Sequence, residues 1–317
     1  MLIRKATACA IVSILLLTGI SFGKVEFTQS GDRLEIRIDG NLFTEYRYAP
    51  DLVKPILYPV QTPSGLAVNR GYPFVQIQGE TQDHPHHQGI FFTYDITNAE
   101  NFWGSTKTLP TIKHKRFLKR EAGQKQGVLS AVLDWVGKNG RVLVEENRTM
   151  VFYGQANAFV LDFTATLTAT DSTVAFQDTK EGMFAIRTAD WLRERGGTGR
   201  YLNSRDQETA KQCWGVRAEW VRLEGNKDGA PVGIVIFNHP ASVNFPTYWH
   251  ARDYGLFSAN PLGQGAFQTE NKVAEPQPFR LTLQPKQNAV FKFLVVVYDG
   301  TRTKEELNNL HETYKKK

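Results

Sequence analysis

The chain has 317 residues, of which 41% are hydrophobic and 22% are charged, as is ordinary for a globular protein. Its formal net charge of +6 includes two basic residues near the amino terminus and three at the carboxyl terminus, so most of the excess lies at the ends. Between them basic and acidic residues are interleaved, and no stripe of Lys and Arg with aromatics is present. This distribution argues against nucleic acid as a partner.

Residues 1–23 have the pattern of a signal peptide. Two basic residues precede an apolar run over residues 6–20, which is too short to span a bilayer comfortably. Small residues at positions 21 and 23 then favour cleavage before Lys24, so the mature chain is expected to be periplasmic or secreted by a bacterium. An uncleaved amino-terminal anchor is the alternative, and no later segment is apolar enough to span a membrane.

Alternation of apolar and polar residues with a period of two prevails in the rest of the chain. Turn dipeptides and loops join pairs of such runs into predicted hairpins, namely 34–38 with 42–48, 128–136 with 142–153, 214–223 with 232–237, and 279–283 with 289–297. One helix is expected over residues 304–316, capped by Thr303. The sequence therefore predicts a single all-β domain over residues 24–317, a large antiparallel sandwich of two sheets with a short C-terminal helix.

Residues 83–89, with the sequence Asp-His-Pro-His-His-Gln-Gly, carry three of the seven histidines. Imidazole titrates near neutral pH, so His84, His86 and His87 beside Asp83 can shuttle protons, bind a metal or hydrogen-bond a polar ligand. The alternative is a polar turn in which each histidine satisfies nearby backbone groups. Three histidines together favour chemistry.

A second charged segment, residues 178–187, interrupts a stretch whose apolar residues suggest an inner strand. The separation of Glu181 and Arg187 is even, so both lie on the same face of a regular strand. Burial there raises the pKa of a carboxyl group, as general acid or base catalysis requires. An ion pair between Glu181 and Arg187 on the sheet surface is the alternative.

Residues 238–263 are too rich in Pro, Asn and Gly for a regular strand and too rich in aromatics for a solvated linker. They combine an apolar platform with polar groups at its rim, including His239, Trp249, His250, Arg252 and Asp253. This composition is typical of a pocket for a polar organic ligand, especially a sugar. An aromatic-packed corner with a simple Arg252–Asp253 pair is the alternative.

The strings 83–89, 178–187 and 239–255 resemble a bacterial family of uncharacterised function that is often labelled methane monooxygenase subunit-like. That label implies a membrane copper enzyme, which a chain without membrane spans does not match. The resemblance implies instead an exported β-sandwich found among carbohydrate-degrading bacteria, and it supplies no catalytic residues. The expected architecture is also similar to that of aldose epimerases, which are large β-sandwiches with paired histidines and a glutamate base.

Three functions are consistent with these residues, and each has a small carbohydrate or a related molecule as its ligand. We expect the first, a lyase, hydrolase or epimerase acting on a sugar or keto-sugar without a cofactor. Its acid and base groups are His84, His87, Glu181 and His250, and its substrate-binding residues are Arg187, His239, Trp249, Arg252 and Asp253.

The second function is that of a metal-dependent enzyme with a divalent ion held among His84, His86, Glu181 and His250. The third is a non-catalytic glycan-binding protein that uses Trp249 and the charged rim. For the first function we expect the residues His84, His87, Glu181, His239, His250 and Asp253 to converge on one concave site.

Overall fold

A computed structural model describes residues 23–95 and 98–317, so the predicted leader lies outside the described residues except for Gly23. The strands in chain order are β1 (Val25–Ser30), β2 (Arg33–Ile38), β3 (Asn41–Arg47), β4 (Ile56–Val60), β5 (Ile90–Tyr94), β6 (Thr111–Glu121), β7 (Gly127–Val136), β8 (Val142–Gln155), β9 (Ala158–Ala169), β10 (Val174–Phe176), β11 (Gly182–Arg187), β12 (Arg200–Asn203), β13 (Trp220–Lys227), β14 (Ala230–Asn238), β15 (Tyr248–Ala251), β16 (Leu256–Asn260), β17 (Leu281–Leu283) and β18 (Asn288–Asp299). The helices of these residues are α1 (Thr209–Cys213), α2 (Gln264–Glu270) and α3 (Lys304–Tyr314).

Two eight-stranded antiparallel sheets pack over a shared apolar core. The first sheet has the strand order β1-β2-β3-β4-β5-β11-β16-β15, and the second has the order β12-β13-β14-β18-β9-β8-β7-β6. Both sheets therefore contain strands from the amino-terminal and the carboxyl-terminal halves of the chain. The predicted all-β sandwich of two antiparallel sheets with a short C-terminal helix is confirmed.

Three of the four predicted hairpins form at their turn dipeptides. β2 pairs with β3, β7 with β8, and β13 with β14. The fourth hairpin is wrong, because β17 pairs with β10 in a separate two-stranded sheet while β18 lies between β14 and β9. Alternation predicts that a segment is a strand, but it does not specify a partner that is distant in sequence.

Strand β9 shows how alternation builds the core. Phe163 and the residues at every second position after it are buried, whereas the intervening polar residues are only partly buried. The ring of Phe163 lies 5.4 Å from that of Phe92 and 4.8 Å from that of Phe184, both in the first sheet. Aromatic contacts at these distances join the inner faces of the two sheets.

Helix α3 covers the outer face of the second sheet. Thr303 and Glu306 form a capping box at its start, which satisfies two backbone N–H groups of the first turn. Leu307 and Tyr314 then pack into an apolar cluster with Trp220 and other residues of that sheet. The outer face of the second sheet is thus partly closed by the chain's own C-terminal helix.

A buried ion pair lies within the sandwich. Glu146 accepts hydrogen bonds from Arg148 Nε at 2.6 Å and from Trp135 Nε1 at 2.8 Å, one on each carboxylate oxygen. The guanidinium carbon of Arg148 also lies 5.4 Å from the centre of the Phe163 ring. Both charged side chains are almost completely buried, so neither can exchange its partner for water.

Glu146→Ala should lower the free energy of unfolding by about 3–5 kcal/mol, because Arg148 then keeps a buried charge without its carboxylate. The double variant Glu146→Leu/Arg148→Met should lose less than Glu146→Ala, since it removes both charges. Urea unfolding followed by tryptophan fluorescence measures both losses. The single variants Glu146→Leu and Arg148→Met complete the comparison, and a double variant that loses the sum of their two losses would contradict this coupling.

Candidate active site

One row of paired residues crosses the outer face of the first sheet. Phe91 of β5 pairs with Ala185 of β11, Ala185 with Ser258 of β16, and Ser258 with His250 of β15. Paired residues point to the same side of a sheet, and their neighbours along each strand belong to the core. The row therefore faces away from the second sheet, and Arg187, two residues along β11 from Ala185, shares this face.

Charged and aromatic side chains gather at the Phe91 end of this row. We name them the His87 cluster, which consists of Lys54, Arg70, Asp83, His84, His86, His87, Phe91, Trp103, Arg187 and Tyr254. The members come from parts of the chain that are widely separated in sequence. The fold therefore brings the predicted histidine string to a sheet face and adds residues to it.

Asp83 joins two buried arginines. Its Oδ1 accepts hydrogen bonds from Arg70 Nη1 at 2.5 Å and Arg187 Nη2 at 2.6 Å, and its Oδ2 lies 3.0 Å from His84 Nδ1. Burial acts to raise the pKa of Asp83, but the charge of Arg187 and hydrogen bonds from Arg70 and His84 outweigh it and hold the pKa below its ordinary value. Arg187 thus pairs with Asp83 and not with Glu181.

Four nearly parallel rings form a stack that leads to the sheet. Tyr254, His84, His87 and Phe91 follow one another with centroid distances of 5.3, 4.9 and 5.9 Å and interplanar angles of 4°, 1° and 14°. The ring of Trp103 meets His87 edge-on at 5.4 Å. Contacts of this geometry are favourable and hold the two imidazoles in fixed orientations.

Both ring nitrogens of His87 are buried and have no hydrogen-bond partner among the described residues. Burial, together with the charges of His86 and Arg187, holds the pKa of His87 well below its ordinary value. Burial and the charge of Lys54 lower the pKa of His86 to about 4. Both imidazoles are therefore neutral at pH 7 and able to accept a proton. Buried polar atoms in proteins normally have partners, so the two unpaired ring nitrogens make His87 a candidate ligand-binding residue.

Lys54 is a member of the cluster that the sequence analysis missed. Its side chain is 1% exposed, its Nζ has no hydrogen-bond partner among the described residues, and that atom lies 5.2 Å from the centre of the Phe91 ring. Burial lowers the pKa of Lys54 to about 7. A buried amine that titrates near neutrality can act as an acid or a base. Its sequence signal is a lysine inside the otherwise apolar run 52–57.

The opposite end of the row carries His250, whereas Glu181 directly precedes β11. His250 Nδ1 lies 3.0 Å from the carbonyl oxygen of residue 180, and burial with the charge of Arg252 lowers the pKa of His250 to about 3. Burial and the neighbouring carboxylate of Asp95 raise the pKa of Glu181. Three strand spacings, about 14 Å, separate this end of the row from Phe91. Both ends therefore share one face of the sheet without forming a single cluster.

Tyr254 and Arg252 lie between the two ends. The guanidinium carbons of Arg187 and Arg252 are 4.8 and 5.4 Å from the centre of the Tyr254 ring. Cations at these distances are attracted to an aromatic ring. Tyr254 therefore connects Arg252 to the His87 cluster.

Trp249 belongs to the core. It is fully buried, donates a hydrogen bond from Nε1 to the carbonyl oxygen of Ala218 at 3.0 Å, and packs against Phe257. Trp249 and His250 are consecutive in β15, so only one of them can face outwards. The prediction that Trp249 stacks on a sugar is therefore wrong, and Trp103 is the tryptophan of the His87 cluster.

His239 and Asp253 lie apart from the His87 cluster. His239 follows β14 in the second sheet, where its Nδ1 accepts a hydrogen bond from the backbone N–H of Ala241 at 2.9 Å and its ring packs edge-on against Tyr314. Asp253 lies 3.8 Å from Arg195 Nε at the rim of a cavity of about 280 Å³. The predicted convergence on one site thus excludes His239, and the Arg252–Asp253 pair is replaced by Arg195–Asp253.

The residues proposed as metal ligands do not gather in one place. In residues 23–95 and 98–317, no group of three or more His, Cys, Asp and Glu side chains is arranged to hold a metal ion. His84 and His86 lie together in the His87 cluster, whereas His250 lies at the other end of the row and Glu181 directly precedes β11. Across those same two ranges, no helix has the length and apolar character needed to cross a membrane.

Trp249→Ala should reduce the free energy of unfolding by about 3–5 kcal/mol, the usual loss when a buried aromatic is truncated in a core. Trp249→Phe should lose less, because it leaves a smaller cavity. Chemical denaturation followed by circular dichroism compares the two variants with the wild type. Wild-type stability of Trp249→Ala would show that this side chain does not support the core.

Lys54→Met should stabilise the protein, because it removes a buried ammonium group without a partner while keeping most of the volume. The folded pKa of about 7 lies below the ordinary value of 10.5. Burial of the charge therefore costs most at pH 7 and below, and the cost fades as the pH rises towards 10.5. We expect the gain in unfolding free energy to shrink over this range in urea titrations. A gain that is independent of pH would contradict the buried charge.

Comparison with solved structures gives distant matches. The chain is similar to a galactose mutarotase-like protein from Clostridium acetobutylicum, with a TM-score of 0.42, 10% identity, and 88% of this chain and 99% of that chain covered. It is also similar to a GH36 alpha-galactosidase from Geobacillus stearothermophilus, with a TM-score of 0.44, 14% identity, and 86% of this chain and 40% of that chain covered. A third similar structure is a galactose 1-epimerase from Lactobacillus acidophilus, with a TM-score of 0.36, 9% identity, and 88% of this chain and 98% of that chain covered. No curated protein matches the sequence.

Comparison with families of sequences covers most of the chain. The model of a family described as "Family of unknown function (DUF6807)" matches residues 33–312. This range includes the three strings on which the family resemblance depends, so that resemblance is confirmed. The chain therefore belongs to this family of unknown function.

Proposed function

We propose that the protein is an exported carbohydrate-active enzyme, a lyase or epimerase, that moves a proton on a sugar or keto-sugar bound in the His87 cluster. The main support for this proposal is a set of buried polar atoms that have no hydrogen-bond partner among the described residues. They are both ring nitrogens of His87, Nζ of Lys54, and Nε and Nη1 of Arg187. Native proteins leave few such atoms unpaired, so several in one cluster favour a polar ligand at that place. Export rests on the leader pattern of residues 1–23.

Two of these side chains suit proton transfer. His87 is neutral at pH 7, because burial holds its pKa well below the ordinary value, and it can therefore accept a proton. Lys54, with a pKa of about 7, carries a proton in a large fraction of molecules at neutral pH and can donate it. An acid and a base whose pKa values are driven apart by their surroundings are the groups that epimerisation and elimination require.

Arg187 supplies positive charge for the reaction. Its Nη2 is held by Asp83, which fixes the guanidinium and makes Asp83 a positioning residue. Removal of a proton beside a carbonyl group transfers negative charge to the carbonyl oxygen. A guanidinium that is already oriented stabilises this charge without reorganisation.

The apolar surfaces of the cluster favour a sugar as the ligand. Phe91, Trp103 and Tyr254 lie beside the polar side chains, and pockets that combine such surfaces suit the CH faces and hydroxyl groups of sugars. Glycoside hydrolysis typically uses a pair of carboxyl groups. Asp83 is the carboxylate of the His87 cluster and is already held by three side chains, which favours a lyase or epimerase over a hydrolase.

His87→Ala should lower the rate of proton exchange on the substrate by about a hundredfold to ten-thousandfold, the usual effect of losing a general acid or base. Incorporation of solvent deuterium into aldoses, ketoses and hexuronates, followed by NMR, measures this rate. His239→Ala is the matched control, because it removes a histidine of the second sheet and should keep nearly the wild-type rate. Equal rates in the two variants would contradict a catalytic role for His87.

The pH dependence of the same assay tests the role of Lys54. A protonated Lys54 is required as the acid, so the rate should fall as the pH rises through about 7. The rate should also fall at low pH, where His87 takes up a proton. Lys54→Met should remove the fall near pH 7, and persistence of that fall would assign the acid to another group.

A further inference from the structure

Positive charge exceeds negative charge in the His87 cluster. Arg70 and Arg187 have side chains with no exposed surface, and they share the single carboxylate of Asp83. Lys54 adds a third basic group, and burial alone accounts for its lowered pKa. The cluster therefore holds a net positive charge whether Lys54 is protonated or not.

The cluster also has more hydrogen-bond donors than acceptors. Both oxygens of Asp83 are occupied, one by the two arginines and the other by His84. Arg187 Nε and Nη1, Arg70 Nε and Lys54 Nζ are buried and have no acceptor within the described part of the chain. A buried cation without an acceptor is costly, and a second anion in the cluster removes that cost.

We infer that the substrate is a sugar acid whose carboxylate binds between Arg187 and Lys54. This inference rests on the proposed function and specifies its substrate class. A carboxylate supplies acceptor oxygens for the unpaired donors and one negative charge against the excess positive charge. A neutral sugar supplies hydroxyl oxygens but leaves the charge uncompensated.

A carboxylate substrate also fits the proton transfer. His87 takes the proton from the carbon beside the carboxylate, and the C–H electron pair becomes the C=C bond of an enediolate. The electron pair of the carboxylate C=O bond moves onto oxygen, where the cations of the cluster neutralise the added charge. Delivery of the Lys54 proton to the other face of that carbon restores a C–H bond with inverted configuration. Solvent then returns a proton to Lys54 and removes one from His87.

Isothermal titration calorimetry on the full chain tests this inference. D-glucuronate and D-galacturonate should bind about tenfold to hundredfold more tightly than their neutral uronamides, the range expected for a charge-assisted hydrogen bond. Lys54→Met should reduce this preference at least about tenfold. Lys292→Met removes a lysine of the second sheet and should leave the preference unchanged. Since Lys54→Met is expected to be at least as stable as the wild type, its lost preference reports a lost contact.

The other outcomes separate this inference from the proposed function. Equal affinities of the wild type for hexuronates and uronamides would overturn the sugar acid and leave the carbohydrate-active enzyme in place. Acetate that binds as tightly as the hexuronates would show an anion site without sugar recognition and overturn both. Absence of binding by hexuronates, uronamides and neutral pyranoses would also overturn both.

Discussion

The Asp83 carboxylate is the interaction on which the arrangement of the site depends. Two arginines with fully buried side chains meet on one of its oxygens, and His84 lies against the other. Buried guanidinium groups need an acceptor, so the loop that carries Asp83 is held against strand β11, from which Arg187 projects. His84 then starts the ring stack that orients His87. One carboxylate thereby positions both the cations and the imidazoles of the cluster.

The two sheets use their outer faces differently. The outer face of the second sheet is packed against helix α3 through apolar side chains such as Leu307 and Tyr314. The outer face of the first sheet carries the row from Phe91 to His250, with polar groups whose pKa values burial has shifted. Between the sheets, each oxygen of Glu146 has a partner and Arg148 Nη2 lacks one, whereas six buried polar atoms of the His87 cluster lack a partner among the described residues. Several unpaired polar atoms therefore lie together on the face where the chemistry is proposed.

The sequence predicts the features of this fold that depend on neighbours along the chain. Alternation and turn dipeptides give the strands and three hairpins, and the histidine string marks the cluster. Alternation also shows that Trp249 and His250 point in opposite directions, but the choice of the outward face depends on which sheet β15 joins. The same applies to His239, which directly follows strand β14 of the second sheet. Lys54 acquires its properties only when distant strands bury it, so no local pattern reveals its pKa.

The interleaving of the strands has a consequence for synthesis of the protein. Lys54 precedes Tyr254 by 200 residues, and β11 joins β5 only after four of the eight strands of the second sheet have been made. Contacts between such distant segments form slowly, because the entropy of closing long loops is lost first. During translation the edge of β5 therefore stays unpaired, and an open strand edge invites association with other chains. An amino-terminal fragment that ends before β11 lacks Arg187 and Tyr254, so it cannot assemble the site and should depend on chaperones to remain soluble.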